Sequence, residues 1–172
     1  SVFAVILGTG VGAGYSINKE IIVGPNKLTG EWGQNPIPGP MDDYEKSVKR
    51  HCGRVGAIEV FLSGPGLENY YEFISKAKKT SREIVSLYQE GDPVAIEVMN
   101  VYFERIARAF SSFVNILDPD VIVCGGGMSE IDDIYNEIPK RIIPYIASNF
   151  FLTPIIKATH GSSSGVRGAA HL

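Results

Sequence analysis

Cysteine is scarce in this chain, with two thiols, Cys52 and Cys124, among 172 residues. That count excludes a disulfide framework and predicts free thiols of a reducing compartment. Long hydrophobic runs are also lacking: no stretch approaches the ~18–20 apolar residues that span a bilayer. The first residues carry neither the basic head nor the cleavage site of a secretory signal. Position 1 is Ser instead of Met, a start that fits a fragment as well as a processed chain. Basic charge is not in excess, since 16 Lys and Arg against 19 Asp and Glu leave a net charge of -3, with an isoelectric point near 5.6. Such a balance gives no field to draw in nucleic acid, and the local cluster of Lys46, Lys49, Arg50, His51 and Arg54 reads as a solvated loop. The expectation is a cytoplasmic protein with neither nucleic acid nor membrane as partner. A hydrophobic content of 44% suits one globular domain with a real core, so residues 1–172 are read as a single domain.

Glycine, by contrast, is plentiful, and its densest run is Leu7-Gly8-Thr9-Gly10-Val11-Gly12-Ala13-Gly14. The flanks, Val2 to Leu7 and Ala13 to Asn18, have strand patterns, so the run reads as strand, glycine turn, strand. Glycines at 8, 10, 12 and 14 tolerate positive φ and let backbone N–H groups approach a ligand, and Thr9 adds a hydroxyl donor. Phosphate is the natural guest, and a hairpin without a ligand is the alternative. A dinucleotide fingerprint is disfavoured: Glu31 lies at about the right distance, but no helix follows the turn.

Along the chain, the Pro and Gly density from Gly24 to Pro40 predicts a structured loop. The charged stretch from Met41 to Arg54 reads as an exposed excursion that includes Asp42 and Asp43. Helical patterns follow over Leu67 to Lys76, with Tyr70, Tyr71 and Phe73 near one face, and over Ser81 to Glu90. Asp92-Pro93 then supplies an N-cap and first-turn proline for a core-packed helix running to about Leu117. Val121 to Cys124 reads as a buried strand closed by Gly125-Gly126-Gly127, a second turn that a ligand can approach. A helix from about Asp132 to Ala147, interrupted by Pro139 and Pro144, a strand over Pro154 to Thr159, and a helix from Ser164 complete the chain. An antiparallel start followed by parallel crossovers predicts a three-layer α/β domain.

Four motifs occur in order: the Gly8 to Gly14 turn; Gly30-Glu31-Trp32-Gly33; Cys52-Gly53-Arg54-Val55-Gly56-Ala57-Ile58-Glu59 leading to Ser63-Gly64; and Gly125 to Gly127. Together they resemble the C-terminal domain of the ROK (repressor, open reading frame, kinase) family over nearly the whole chain. The stretch Gly30 to Pro36 looks most like the bacterial fructokinase and mannokinase branch, with N-acetylglucosamine kinases close by. The resemblance implies an α/β, actin-like ATPase fold of the ribonuclease H-like, hexokinase type, with a mixed sheet flanked by helices. It also implies an ATP-dependent hexose kinase using magnesium, with fructose or a related hexose as acceptor. Gly8, Thr9, Gly10 and Gly12 would contact nucleotide phosphates, Gly125, Gly126 and Gly127 would lie near the adenosine, and Glu31, Gln34 and Glu59 would contact sugar. The alternative is the sugar-sensing domain of a ROK-type transcriptional repressor.

Two departures from the family pattern stand out. The family's zinc ligands, one His and three Cys, correspond here to Gln34, Arg50, Cys52 and Ala57, so a tetrahedral site is not expected and Cys52 is its only remnant. The family's catalytic Asp would lie upstream of Ser1, in an N-terminal domain that this sequence does not include, and the isolated fragment is expected to be inactive. Family members often dimerise, and Tyr70, Tyr71 and Phe73 are candidate dimer contacts, while a helix packed on its own domain explains the same pattern.

Overall fold

Apolar residues at alternate positions of Val2–Leu7 make β1 a central strand, with Phe3, Val5 and Leu7 buried on one face. The structure, a computed structural model, describes residues 1–50 and 52–170. β1 pairs antiparallel with β2 (Val11–Ile17), Val5 opposite Ala13. On its other side it pairs in parallel with β4 (Val121–Gly125), Val5 opposite Cys124. The short β3 (Glu20–Ile21) and β5 (Ile155–Lys157) complete a mixed sheet in the order β3-β2-β1-β4-β5. The parallel crossover from the hairpin to β4 consumes α1 (Asp43–Ser47), α2 (Glu59–Leu62), α3 (Gly64–Ser75), α4 (Ser81–Gln89) and α5 (Pro93–Leu117). After β4 come α6 (Asp133–Arg141) and, beyond β5, α7 (Ser164–Ala169). This is the mixed sheet flanked by helices that the motifs implied.

The long helix α5 supplies most of the core. Asp92 accepts a hydrogen bond of 2.8 Å from the Ala95 N–H, Pro93 opens the first turn, and Asp118 closes the helix in the left-handed region. Its buried face, from Val98 to Val114, packs under the sheet: the Phe113 ring stacks on Phe3 at 3.9 Å, and Trp32 meets both Phe110 and Phe113 edge-on. None of the described helices is long and apolar enough to cross a membrane.

The structure corrects several boundaries. β2 begins at Val11, so the turn shrinks to Gly8, Thr9 and Gly10, and Gly12 and Gly14 become strand residues opposite Ile6 and Ala4. None of the glycines at 8, 10, 12 and 14 has positive φ. The helix placed over Asp132 to Ala147 stops at Arg141, because Pro144 has no N–H for another turn, and a 3-10 turn at Ile143–Tyr145 follows. The strand placed over Pro154 to Thr159 pairs only at Ile155–Lys157.

The stretch from Met41 to Arg54 is only partly solvated. Asp42 caps α1 in a reciprocal box with Glu45. The Glu45 carboxylate is buried between two arginines of α5, accepting from Arg105 Nε at 2.9 Å and Arg108 Nη1 at 3.0 Å. Arg108 also donates to the carbonyls of Pro38 and Pro40, so a proline-rich segment poor in N–H groups finds donors from α5. The Arg105 guanidinium sits 4.1 Å from the Tyr70 ring. Tyr70 and Tyr71 are therefore buried, and of the three candidate dimer residues only Phe73 is exposed.

Candidate active site

Two parallel strands ending side by side set the first half of the site. β1 and β4 run in register from Val2–Val121 to Ile6–Gly125, so the turns that follow them emerge at the same sheet edge, where open α/β sheets bind ligands. Gly126 has φ +88, and a Cβ there would fall 2.4 Å from the Leu7 carbonyl oxygen. Only glycine lets these turns touch. The Gly64 N–H donates to the Gly8 carbonyl at 2.9 Å, and Ser63 caps α3 by accepting from the Gly66 N–H at 3.2 Å. The N-terminus of α3, whose first N–H groups are taken by these bonds and by Leu67 donating to the Ser63 carbonyl, thereby brings its positive dipole end to the glycine turn.

These segments enclose a cleft of about 820 Å³. Gly8, Thr9, Gly126 and Gly127 line it, as do Gly64 and Pro65 of α3 and Ser81, Arg82 and Gln89 of α4. Its carboxylates are engaged: Glu68 accepts from the Ser81 N–H at 2.8 Å, and Glu130 pairs with Lys157 at 2.8 Å. Arg82 forms no ion pair among the described residues and supplies positive charge beside the α3 terminus. The cleft thus combines a glycine turn, a helix dipole end and the Arg82 cation with an apolar wall of Ile6, Val85 and Ile131. Three expected residues stand off it: Gly10 faces Glu59, Gly12 lies within β2, and Gly125 is buried in β4. The α4 contributions had no signal in the sequence beyond a helix start at Thr80-Ser81, because only the fold brings that helix to the cleft.

The second half is built on β2. Gly30 has φ +93 and would place a Cβ 1.8 Å from the Ala13 carbonyl oxygen, and Gly33 would place one 2.4 Å from that of Val11. The motif Gly30 to Gly33 thus lies flush on the strand. Its 3-10 turn, Glu31–Gln34, buries Trp32 and leaves Glu31 exposed. Glu31, Gln34, Asn35 and Arg54 line a cavity of about 490 Å³, in whose wall the buried Trp32 has an indole N–H without a partner.

Glu59, the first residue of α2, does not line that cavity and joins the two halves instead. Its Oε2 accepts from the Val11 N–H at 3.2 Å, and a Cβ on Gly10 would approach that oxygen to 3.0 Å. Its Oε1 accepts from Arg50 Nε at 3.1 Å and forms an ion-pair contact with Arg50 Nη2 at 3.1 Å. Arg50, expected in a solvated basic cluster, is therefore an internal partner of the site, whereas Lys46, Lys49 and Arg54 are exposed. His51 of that cluster lies outside the described residues. Asp42 and Asp43 belong to α1, Asp42 reaching Arg105 at 3.4 Å.

The residues at the zinc positions do not fit a metal. Cys52 is exposed, Ala57 pairs with Pro36 in a β-bridge, Gln34 is an amide, and Arg50 is a cation. Among the described residues no cluster of three or more His, Cys, Asp or Glu could hold an ion. The two thiols differ sharply. The Arg54 backbone N–H and then the Arg50 side chain hold Cys52 below the ordinary thiol range, outweighing some desolvation, whereas burial pushes Cys124 up to about 12.

The sheet order, the strand-end cleft and the flush glycine motif define the actin-like ATPase fold found in sugar kinases of known structure. A glucokinase from Streptomyces griseus, solved with glucose and AMPPNP, superposes with a TM-score of 0.86 at 21% identity over 99% of this chain and 59% of that one. A hexokinase from Thermus thermophilus gives 0.83 at 24% identity over 99% and 55%. A transcriptional regulator homologous to the E. coli MLC protein also shares the fold, at 0.73 and 19% identity over 91% and 41%. The ROK family profile matches residues 1–172, and the chain belongs to the ROK family. Among curated relatives, an N-acetyl-D-glucosamine kinase of Vibrio atlanticus is 39% identical, and one of Vibrio cholerae is 38% identical. Each alignment covers 100% of this chain and 58% of the relative, so the chain spans a little over half their length.

Proposed function

We propose that this chain is the C-terminal portion of an ATP-dependent hexose kinase, acting on fructose or a related hexose. The observation that carries this reading is the position of Glu59, whose Oε2 touches the Val11 N–H at the base of the Gly8–Gly10 turn. A hydroxyl held by that carboxylate would lie beside a phosphate held by the turn. Phosphoryl transfer asks mainly for such juxtaposition and for neutralisation of charge. In this reading Gly8 and Thr9 serve the phosphates, aided by the α3 terminus and Arg82, and Gly126 and Gly127 serve the nucleoside, while Gly10, Gly12 and Gly125 shape the turns without lining the cleft. Glu31, Gln34 and Glu59 serve the sugar. Magnesium would arrive on the nucleotide, as it commonly does in kinases. The base that takes the hydroxyl proton is not among these groups, and residues 1–172 alone are expected to give no turnover. The compartment in this reading is the cytoplasm.

A regulator of the same family shares the fold, so the fold alone does not separate catalysis from sensing. The glycine-lined cleft, read as a phosphate site, favours catalysis, because a sugar sensor has no need of one. The test is hexose-dependent ADP release by the complete protein that carries this chain, measured over fructose, N-acetylglucosamine, glucose and mannose. Turnover on any of them supports a kinase, and a preference for N-acetylglucosamine would move the acceptor from fructose to the sugar named for the Vibrio relatives. Hexose binding without turnover would instead support a sensor.

A further inference from the structure

Glu59 has about four acceptor sites on its two oxygens, as any carboxylate does. Here Oε1 accepts one N–H bond, from Arg50 Nε, and lies 3.1 Å from Arg50 Nη2 in an ion-pair contact, and Oε2 accepts one from Val11. Two of the four are thus filled by hydrogen bonds from within the chain, and Oε2 is the oxygen that the guanidinium leaves open. The Arg50 side chain is only 19% exposed and that of Glu59 23%, so the pair is shielded from water and its rotamers are restricted.

The backbone around Arg50 is equally constrained. Its N–H donates to the Arg54 carbonyl at 2.8 Å, its carbonyl accepts from Gly53 at 2.8 Å, and Lys49 bridges Val55. Further along, Ile37 donates to Gly56 at 2.8 Å and Ile58 to Asn35 at 2.9 Å, which locks the Glu31–Gln34 turn to the approach of α2. This loop is therefore closed by a backbone ladder at its base and by the Arg50–Glu59 pair across it. A guanidinium fixed in this way supplies the cross-link for which three of the four zinc positions have lost their ligands.

We propose that Arg50 is the positioning residue of the sugar site, closing the loop in place of a metal and orienting Glu59 so that one acceptor site on Oε2 faces the sugar. Its role in binding rests on the kinase reading above; its role as a clamp does not. One consequence follows for selectivity. With the Arg50 guanidinium against Oε1, Glu59 offers Oε2 first to a sugar hydroxyl, and a second hydroxyl is left to Glu31 or Gln34.

The test uses Arg50→Ala, Arg50→Lys, Glu59→Gln and the double variant R50A/E59Q in the complete protein. Arg50→Ala is expected to speed hydrogen exchange at the Val11 amide about tenfold, since that N–H loses a fixed acceptor, and to raise the hexose KM about tenfold with little change in kcat. Arg50→Lys, which can give one N–H to Oε1, should fall between wild type and Ala. The double variant should match Glu59→Gln alone, because Arg50 acts through Glu59. Unchanged Val11 exchange in Arg50→Ala overturns the clamp. Faster exchange with an unchanged KM overturns the positioning role, as does a double variant whose losses add. A wild-type protein that turns over no hexose overturns the kinase reading and the sugar role with it, and the exchange rates distinguish that result from a failed clamp.

Discussion

Gly30 and Gly33 show what single residues contribute here, because the structure leaves no room for any side chain at either. At Gly30 an alanine would be forced to φ +93 with its Cβ 1.8 Å from the Ala13 carbonyl, so the turn must leave the strand. Gly30→Ala is expected to cost about 3 kcal/mol or more, read as a lower denaturant midpoint, through strain and lost packing of Trp32. Gly12→Ala, which meets nothing within 4 Å, should cost well under that and serves as the control. The thiols offer a second residue-scale prediction. A thiol with a depressed pKa reaches half thiolate at a lower pH, and one raised to about 12 stays protonated throughout the working range. Alkylation at pH 7 should therefore label Cys52 and spare Cys124, as mass spectrometry of the peptides would show. Removing the Arg50 contribution should move the Cys52 profile to higher pH, since a cation favouring the thiolate is lost. Labelling of Cys124 in the folded protein would contradict its burial.

Elements differ in how much of them the sequence declares. α5 was legible to the residue at both ends, because Asp92-Pro93 and Asp118-Pro119 act locally and the apolar period of 3.6 holds between them. The first glycine turn was drawn too long, because β2 already starts at Val11, whereas β1 and β4 were legible as short apolar runs. α1 was not: its five residues are mostly charged, and what makes it an element is the buried Glu45 between Arg105 and Arg108, sixty and more positions away. The same long-range contact hid the inward turn of Tyr70 and Tyr71, which a local helix pattern cannot separate from a surface patch. Arg50 was misread in the same way, as a member of a basic run, because its partner Glu59 is found only across the loop. The ion cluster gives the prediction at this scale. Glu45→Ala would leave two guanidinium groups of α5 without their shared carboxylate, one of them 2% exposed. Removing one partner of such a buried set typically costs about 3–5 kcal/mol. Thermal unfolding should show that loss. Arg105→Met, which keeps an apolar chain among Tyr44, Phe61 and Tyr70 and leaves Arg108 on Glu45, should cost less.

At the scale of the whole molecule, three segments far apart in sequence meet at one sheet edge, and the means of holding them together decides what the protein requires from its surroundings. The turn at Gly8, the cap at Ser63 and the turn at Gly126 are joined by backbone hydrogen bonds and by glycines that permit contact. The loop that runs from Glu31 and Gln34 to Glu59 is joined by the Pro36–Ala57 bridge, by Glu45 on α5 and by Arg50 on Glu59. Each of these links is made by the chain itself. A fold closed by zinc loses loop order when the metal is removed, because ligand binding free energy is then part of folding free energy. With Gln34, Arg50 and Ala57 in place of ligands, that coupling has no donor set on which to act. The purified protein is therefore expected to carry less than about a tenth of an equivalent of zinc, as the four donors of a structural site are not present. Incubation with a strong chelator should leave its melting temperature unchanged. Stoichiometric zinc by elemental analysis, or a chelator-induced fall in melting temperature reversed by zinc alone, would mean that donors outside these four positions rebuild a site. In that case the ladder and the Arg50 pair would be supports of a metal-closed loop, and Arg50→Ala would lower zinc content along with sugar affinity.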